Sequence, residues 1–271
     1  KLIPPIYVKP FVKRQKNDAA DAEAIVEAAS RPTMRFVAVK SADQQAAGMA
    51  FKTRDLFVRQ RTQLTNALRG HLAEHGVVAP QGIVHLKRLK AALSDEKNEL
   101  PATVVIHAEL ILDQIATLQS HIEALEKEIL AVSRKEELAT RLMTIPGVGP
   151  ITAAALLAFA PDPATFKRGR DFSAWMGLTP KQHSSGGKEK MGRTSKMGQR
   201  DLRRLLITGA MAVVRWAARK GAQEGSWLAR MIDRKPKMLI AVALANKMGR
   251  IIWALMAHGD TYNSHRGKAQ A

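Results

Sequence analysis

The sequence has no cysteine at all. That excludes disulfides and cysteine-based metal sites, and it fits a reducing cytoplasm. It has no secretory signal and no unbroken apolar run of about 18 residues, so no segment is expected to span a bilayer. It does not begin with Met, and its first apolar run, Leu2 to Val8, is broken by Pro4 and Pro5 and reads as a strand end running into a loop, with little upstream to supply neighbouring strands. The expectation is a chain that starts inside a domain. Acidic residues are also scarce: 24 Asp and Glu face 43 Lys and Arg, leaving a net charge of +19. A charge of that size calls for a polyanionic partner or an anionic surface. Nucleic acid is the leading partner, and a ribosome-like or merely soluble basic protein is the alternative.

What is present is ordinary globular material: 46% hydrophobic and 25% charged over 271 residues, enough for two or three modules. The charge is uneven. Residues 1–40 are net +4, residues 41–163 net −1 and residues 164–271 net +16. The last segment is the electrostatic footprint, and the middle reads as scaffold.

Local signals predict a mainly α chain. Asn17 is a candidate N-cap for a helix that Arg31-Pro32 ends, and residues 34–39 suit a short strand or an extended connector. A long helix is expected over 43–75, then a short helix and polar loop over 81–100. From Val104 to Val132 apolar residues recur at spacings of four and three, the seam of a coiled coil. Its partner is either the 43–75 helix folded back or the same helix of another subunit. Further helices are expected on either side of Ile145–Gly149, from about Gln199 to Lys220, and over about 236–257. A disordered tail is expected from 259. Trp175, Trp216, Trp227 and Trp253 read as packing residues. The scattered histidines, His71 and His75 included, read as solvated.

Three constellations carry possible chemistry. In Ile145-Pro-Gly-Val-Gly149, Gly147 and Gly149 suit the close phosphate approach of a helix-hairpin-helix, though an ordinary helix–helix turn would read the same. Asp18 and Asp21 lie three apart, just after the basic patch of Lys13, Arg14 and Lys16. They face one side of a helix and can hold Mg²⁺, yet Asp is equally natural in any first helical turn. Ser184 and Ser185 sit on a glycine-rich stretch with Lys188, Arg193 and Lys196, ahead of a helix bearing Arg200, Arg203 and Arg204. Such a serine could attack a phosphodiester; the stretch could equally be a flexible phosphate-gripping loop.

Taken together, three stretches resemble one family. They are Lys16-Asn-Asp-Ala-Ala-Asp-Ala22, Ile145–Gly149, and Gly177-Leu-Thr-Pro-Lys-Gln-His-Ser-Ser-Gly186 with the Gly-Arg-Thr-Ser-Lys-Met-Gly and Leu-Arg-Arg that follow. This order is similar to the DEDD transposases of bacterial insertion sequences, relatives of the pilin-gene invertases, some of which are guided by a bridge RNA. The resemblance implies the C-terminal part of a RuvC-like domain over 1–40, a coiled-coil scaffold over 41–136 and a helical transposase domain with a serine loop over 137–258. It implies a DNA partner and a homo-oligomer, dimer or tetramer. It implies that Asp18 and Asp21 are Mg²⁺ ligands, the last two of four acids whose first two belong upstream, so this chain alone would not complete the site. It implies that Ser185, or Ser184 beside it, is the nucleophile, activated by the metal and leaving a phosphoserine that a second strand resolves. Gly147, Gly149, Lys188, Arg193, Lys196, Arg200, Arg203 and Arg204 are the expected DNA contacts. A non-catalytic nucleic-acid-binding remnant is the alternative.

Overall fold

The computed structural model describes residues 1–13 and 17–262. Arg14 and Lys16 of the basic patch, and residues 263–271 of the expected tail, lie outside the described residues. The fold is mainly α. The chain forms two units, Lys1–Gln45 and Ala46–Ala271.

The first unit holds α1 (Pro5–Val8) and α2 (Asp18–Ser30). The expected strand end at the start of Leu2–Val8 is present as a single bridge from Leu2 to Val37, where Val37 N–H donates to the Leu2 carbonyl at 2.8 Å, and the loop expected after it is not. Residues 5–8 are instead a helical turn, because Pro5 occupies the first helical position, where its fixed φ is favourable. Asn17 caps α2 by accepting the Ala20 N–H at 2.7 Å. The helix stops at Arg31, which is extended because Pro32 follows.

Helix α3 runs over Ala42–Glu74, crossing from one unit to the other, and is followed by α4 (Leu86–Leu93) and α5 (Ala102–Lys135). The apolar seam of α5 is buried at Ala108, Ile115, Leu118, Ile122 and Ile129. Its partner is α3 of the same chain, running antiparallel. Arg54 pairs with Glu126, Arg61 donates to the Gln119 side-chain oxygen, and Phe57 packs on His121. The two polar links lie a heptad apart on each helix. Leu68 and Leu72 close the far end against Ala108 and Ile115.

The main core is built by α6 (Glu137–Leu142), α7 (Pro150–Phe159), α8 (Gly169–Trp175), α9 (Arg200–Lys220), α10 (Trp227–Ile232) and α11 (Lys237–His258). Between α8 and α9 stands a hairpin of β1 (Pro180–Gln182) and β2 (Met191–Thr194). Leu142, Leu156, Phe172, Met176, Leu202, Leu206 and Ile240 are fully buried at the centre of this core. Each such side chain contributes about 1.5–3 kcal/mol of burial. Among the described helices, α11 is the one long and apolar enough to cross a membrane by length and composition. The sequence shows no unbroken run there, since Lys247 and Arg250 interrupt it. One face of α11, with Ile240, Ala241, Ala245 and Ile252, is core. Residues 259–262, expected in the disordered tail, are held: Arg141 donates to the Gly259 carbonyl, and the Tyr262 N–H to Thr144 Oγ1 at 3.2 Å.

Candidate nucleic-acid interface

The stretch 183–192, expected from sequence to be a loop, continues the β1–β2 hairpin. His183 N–H donates to the Lys190 carbonyl at 2.8 Å, and Lys188 N–H to the Ser185 carbonyl at 3.1 Å. Ser185 and Lys188 face each other across the tip, joined by Gly186 and Gly187. Both glycines have positive φ, 55° and 77°, the backbone that a two-residue turn between right-twisted strands requires. The register shifts by one residue between Pro180 and Gln182, so the hairpin carries a bulge.

This geometry separates the two serines. The Ser184 hydroxyl accepts from Gln182 Nε2 at 3.1 Å and from Lys190 N–H at 3.3 Å, so it is part of the hairpin's own wiring. The Ser185 side chain is exposed, and its hydroxyl has no hydrogen-bond partner among the described residues. Lys188, Arg193, Lys196 and Arg200 are all exposed, the first two on the hairpin, Lys196 just after it and Arg200 as the first residue of α9.

The hairpin root is fixed to the core. Ser195 N–H donates to the Thr179 carbonyl at 2.8 Å and Lys196 N–H to the Gly177 carbonyl at 3.2 Å. Arg203 Nη1 donates to the Met176 and Met197 carbonyls at 3.0 and 3.2 Å. Burial, then the nearby Arg200, pull the Arg203 pKa below the ordinary arginine value, while Asp201 opposes them. Arg203 thus turns its Nη1 to two backbone carbonyls. Arg204, with its side chain 46% exposed, is ion-paired with Asp55 of α3. Asn246 of α11 donates to the Leu178 carbonyl at 3.2 Å, and its own carbonyl accepts from Ser173 Oγ at 3.1 Å. Neither Asn246 nor the bracing role of Arg203 carried any sequence signal. Both depend on which carbonyls the fold leaves unpaired.

The Ile145–Gly149 turn does join two helices, with Pro150 opening α7. Its two glycines serve different ends. At Gly147, φ is 89°, and a Cβ would sit 2.9 Å from the Gly209 carbonyl oxygen of α9. A Cβ on Gly209 would sit 1.9 Å from the Gly147 carbonyl oxygen. The pair lets the turn lie directly on α9. Gly149 is exposed with nothing within 4 Å of its Cβ position, leaving the α7 N-terminus open.

Asp18 and Asp21 lie one turn apart at the start of α2, and neither is in a salt bridge with a described residue. No group of three or more acidic or His side chains suited to a metal occurs among the described residues. A pair of carboxylates still matches Mg²⁺, which is often held by one or two carboxylates and keeps several waters.

The tryptophans do not behave alike. Trp175 stacks with Phe172, and the Trp253 indole N–H donates to the Pro163 carbonyl at 3.0 Å, both as packing residues. Trp227 is half-buried beneath Lys247, and Trp216 is 60% exposed, contrary to the expectation that all four would pack. That expectation fails at Trp216 because its neighbours along α9 include Arg215, Arg219 and Lys220, a solvated stretch of helix.

Comparison with known proteins bears on the same region. The model of the transposase IS116/IS110/IS902 family matches residues 139–224, from α6 through the turn, the hairpin and α9. A "Probable family 20 transposase" of Pseudomonas aeruginosa is 45% identical over 264 residues, covering 97% of this chain and 78% of its own length. The transposase for insertion sequence element IS1328 of Yersinia enterocolitica is 39% identical, covering 97% and 78%. The transposase for insertion sequence element IS1111A of Coxiella burnetii is 40% identical, covering 96% and 72%.

Proposed function

Since the chain belongs to the IS116/IS110/IS902 family of transposases, we propose that it moves an insertion sequence by cutting and rejoining DNA with Ser185 as nucleophile. The observation that carries this reading is the contrast at the hairpin tip: an exposed Ser185 hydroxyl with no hydrogen-bond partner among the described residues beside a tied Ser184, on a hairpin braced to the core that also carries the exposed Lys188 and Arg193.

The chemistry follows from those groups. Ser185 Oγ attacks phosphorus, an Oγ–P bond forms and the P–O bond to the leaving strand breaks. The serine proton is balanced by the hydroxyl that the departing strand acquires. A hydroxyl of a second strand then attacks the phosphoserine, re-forming a phosphodiester and restoring Ser185. Each step exchanges one P–O ester bond for another, so no ATP is needed. Lys188, Arg193, Lys196 and Arg200 hold phosphate oxygens and offset the charge that builds on them. The open N-terminus of α7 at Gly149 offers backbone N–H groups to a further phosphate, which positions the duplex without reading its bases. Asp18 and Asp21 would hold Mg²⁺, which when bound supplies charge neutralisation at the scissile phosphate.

The reading extends to the RuvC-like character of the N-terminal unit. It takes the active form as a homo-oligomer in which the acidic pair and the serine of different subunits serve one strand break. A guide RNA is a compatible partner for the same cationic surface. The test compares Ser185→Ala with Ser184→Ala in the full-length protein on DNA carrying the element's ends. Ser185→Ala should abolish covalent protein–DNA adducts while leaving DNA affinity within about twofold. Ser184→Ala should reduce adducts only in part, because it loosens the hairpin without removing the nucleophile. Adducts that persist at wild-type level in Ser185→Ala would refute the assignment.

A further inference from the structure

A groove of about 1140 Å³ runs between the β1–β2 hairpin and the outer face of α11. Its floor is apolar, with Trp227, Leu239, Val242 and Ile251 among the lining residues. Met238 and Leu239 at one end are 60% and 50% exposed, an unusual outer face for a helix whose other side is core. Arg193, Lys247 and Arg250 also line it, and no carboxylate does. Lys247 Nζ lies 5.6 Å from the centroid of the Trp227 ring, a distance suited to cation–π attraction that holds the ammonium at the wall.

We propose that this groove holds a segment of single-stranded DNA, bases on the apolar floor and phosphates toward Arg193, Lys247 and Arg250. The inference rests on the reading of the hairpin as the strand-cutting element, because Pro180, Gly192, Arg193 and Thr194 of that hairpin form one side of the groove. Charge selects an anion. The apolar floor selects among anions: a duplex presents phosphates and base edges and keeps its base faces stacked inside, whereas a single strand offers those faces. Strands cut and exchanged at Ser185, on the tip of the same hairpin, must become unpaired, so the groove at the hairpin's root would take up a freed strand.

The test measures binding of the full chain to oligothymidylate, oligouridylate and a duplex of matched length by fluorescence anisotropy. The wild-type should prefer oligothymidylate to the duplex at moderate salt. Leu239→Glu should lower oligothymidylate affinity at least fivefold and leave duplex affinity within about twofold. The double variant Lys247→Gln/Arg250→Gln should reduce the slope of log K against log salt for the single strand by about 1.4, as expected for two lost phosphate contacts at about 0.7 each. All the altered side chains line the groove and lie outside the buried core, and unchanged thermal unfolding confirms that each variant is folded. Single-strand binding unaffected by either variant overturns the proposal. So does tighter binding of oligouridylate, which would make the occupant RNA. Dissociation of an oligomer by Leu239→Glu, with single-strand binding intact, overturns it in favour of a contact between copies. Ser185→Ala should bind oligothymidylate as the wild-type does, so failure of the nucleophile assignment and failure of the groove assignment give different results.

Discussion

Arg200, Arg203 and Arg204 sit within two turns of α9 and do three different things. Arg200 is exposed and available to phosphate, Arg203 braces two backbone carbonyls, and Arg204 is paired with Asp55. Arg203→Ala should therefore cost about 2 kcal/mol of stability, because it strips charge-assisted hydrogen bonds from a half-buried loop root. Arg200→Ala should change stability by less than about 0.5 kcal/mol and lower the salt slope of duplex binding by about 0.9. Thermal unfolding and salt titrations check the pair. The glycines divide in the same way. Gly209→Ala drives a methyl into the Gly147 carbonyl and should lower stability by about 1–3 kcal/mol, a fall of roughly 2–4 °C in Tm per kcal/mol. Gly149→Ala meets open space and should move Tm little. All these residues stand out in the sequence as basic or as glycine. Their separate roles do not, because a role depends on which carbonyl or helix the fold brings alongside.

At the level of elements, the α5 seam was legible because its buried face repeats every three to four residues. Which helix fills that seam was not legible: an apolar stripe specifies a face and not a partner. The links from Arg54 to Glu126 and from Arg61 to Gln119 identify α3. Ile115, fully buried in that pair, should cost about 2–4 kcal/mol when replaced by Ala, measured by denaturant unfolding. The hairpin is the opposite case. Its flanks, Lys181-Gln182-His183 and Lys188-Glu189-Lys190, have no alternating apolar pattern, so composition suggests a loose loop. The Gly186-Gly187 pair was the one available strand-pairing signal. At the N-terminus Pro4 and Pro5 point to a strand end running into a loop, and the structure instead uses Pro5 as the first residue of a helical turn.

For the whole molecule, the decisive inheritance is charge. The net +16 of residues 164–271 belongs to the segment that carries the hairpin, α9 and α11. Duplex affinity should therefore fall steeply with salt, by about a thousandfold or more between roughly 50 and 200 mM if six or more phosphates are neutralised; a shallow dependence would remove this segment as the main grip. That the chain is an insertion-sequence transposase was legible in three short stretches, and the relatives bear out that much. In the proposed chemistry the acidic contribution is the pair Asp18 and Asp21, and no larger metal-binding group accompanies them among the described residues. The most direct trial of the account is peptide mapping of the protein–DNA adduct trapped on a cleavage substrate. The phosphoryl linkage should fall on Ser185 within the tryptic peptide between Lys181 and Lys188, with Ser184 unmodified. A linkage on any other residue, or cleaved ends with no adduct at all, would contradict it.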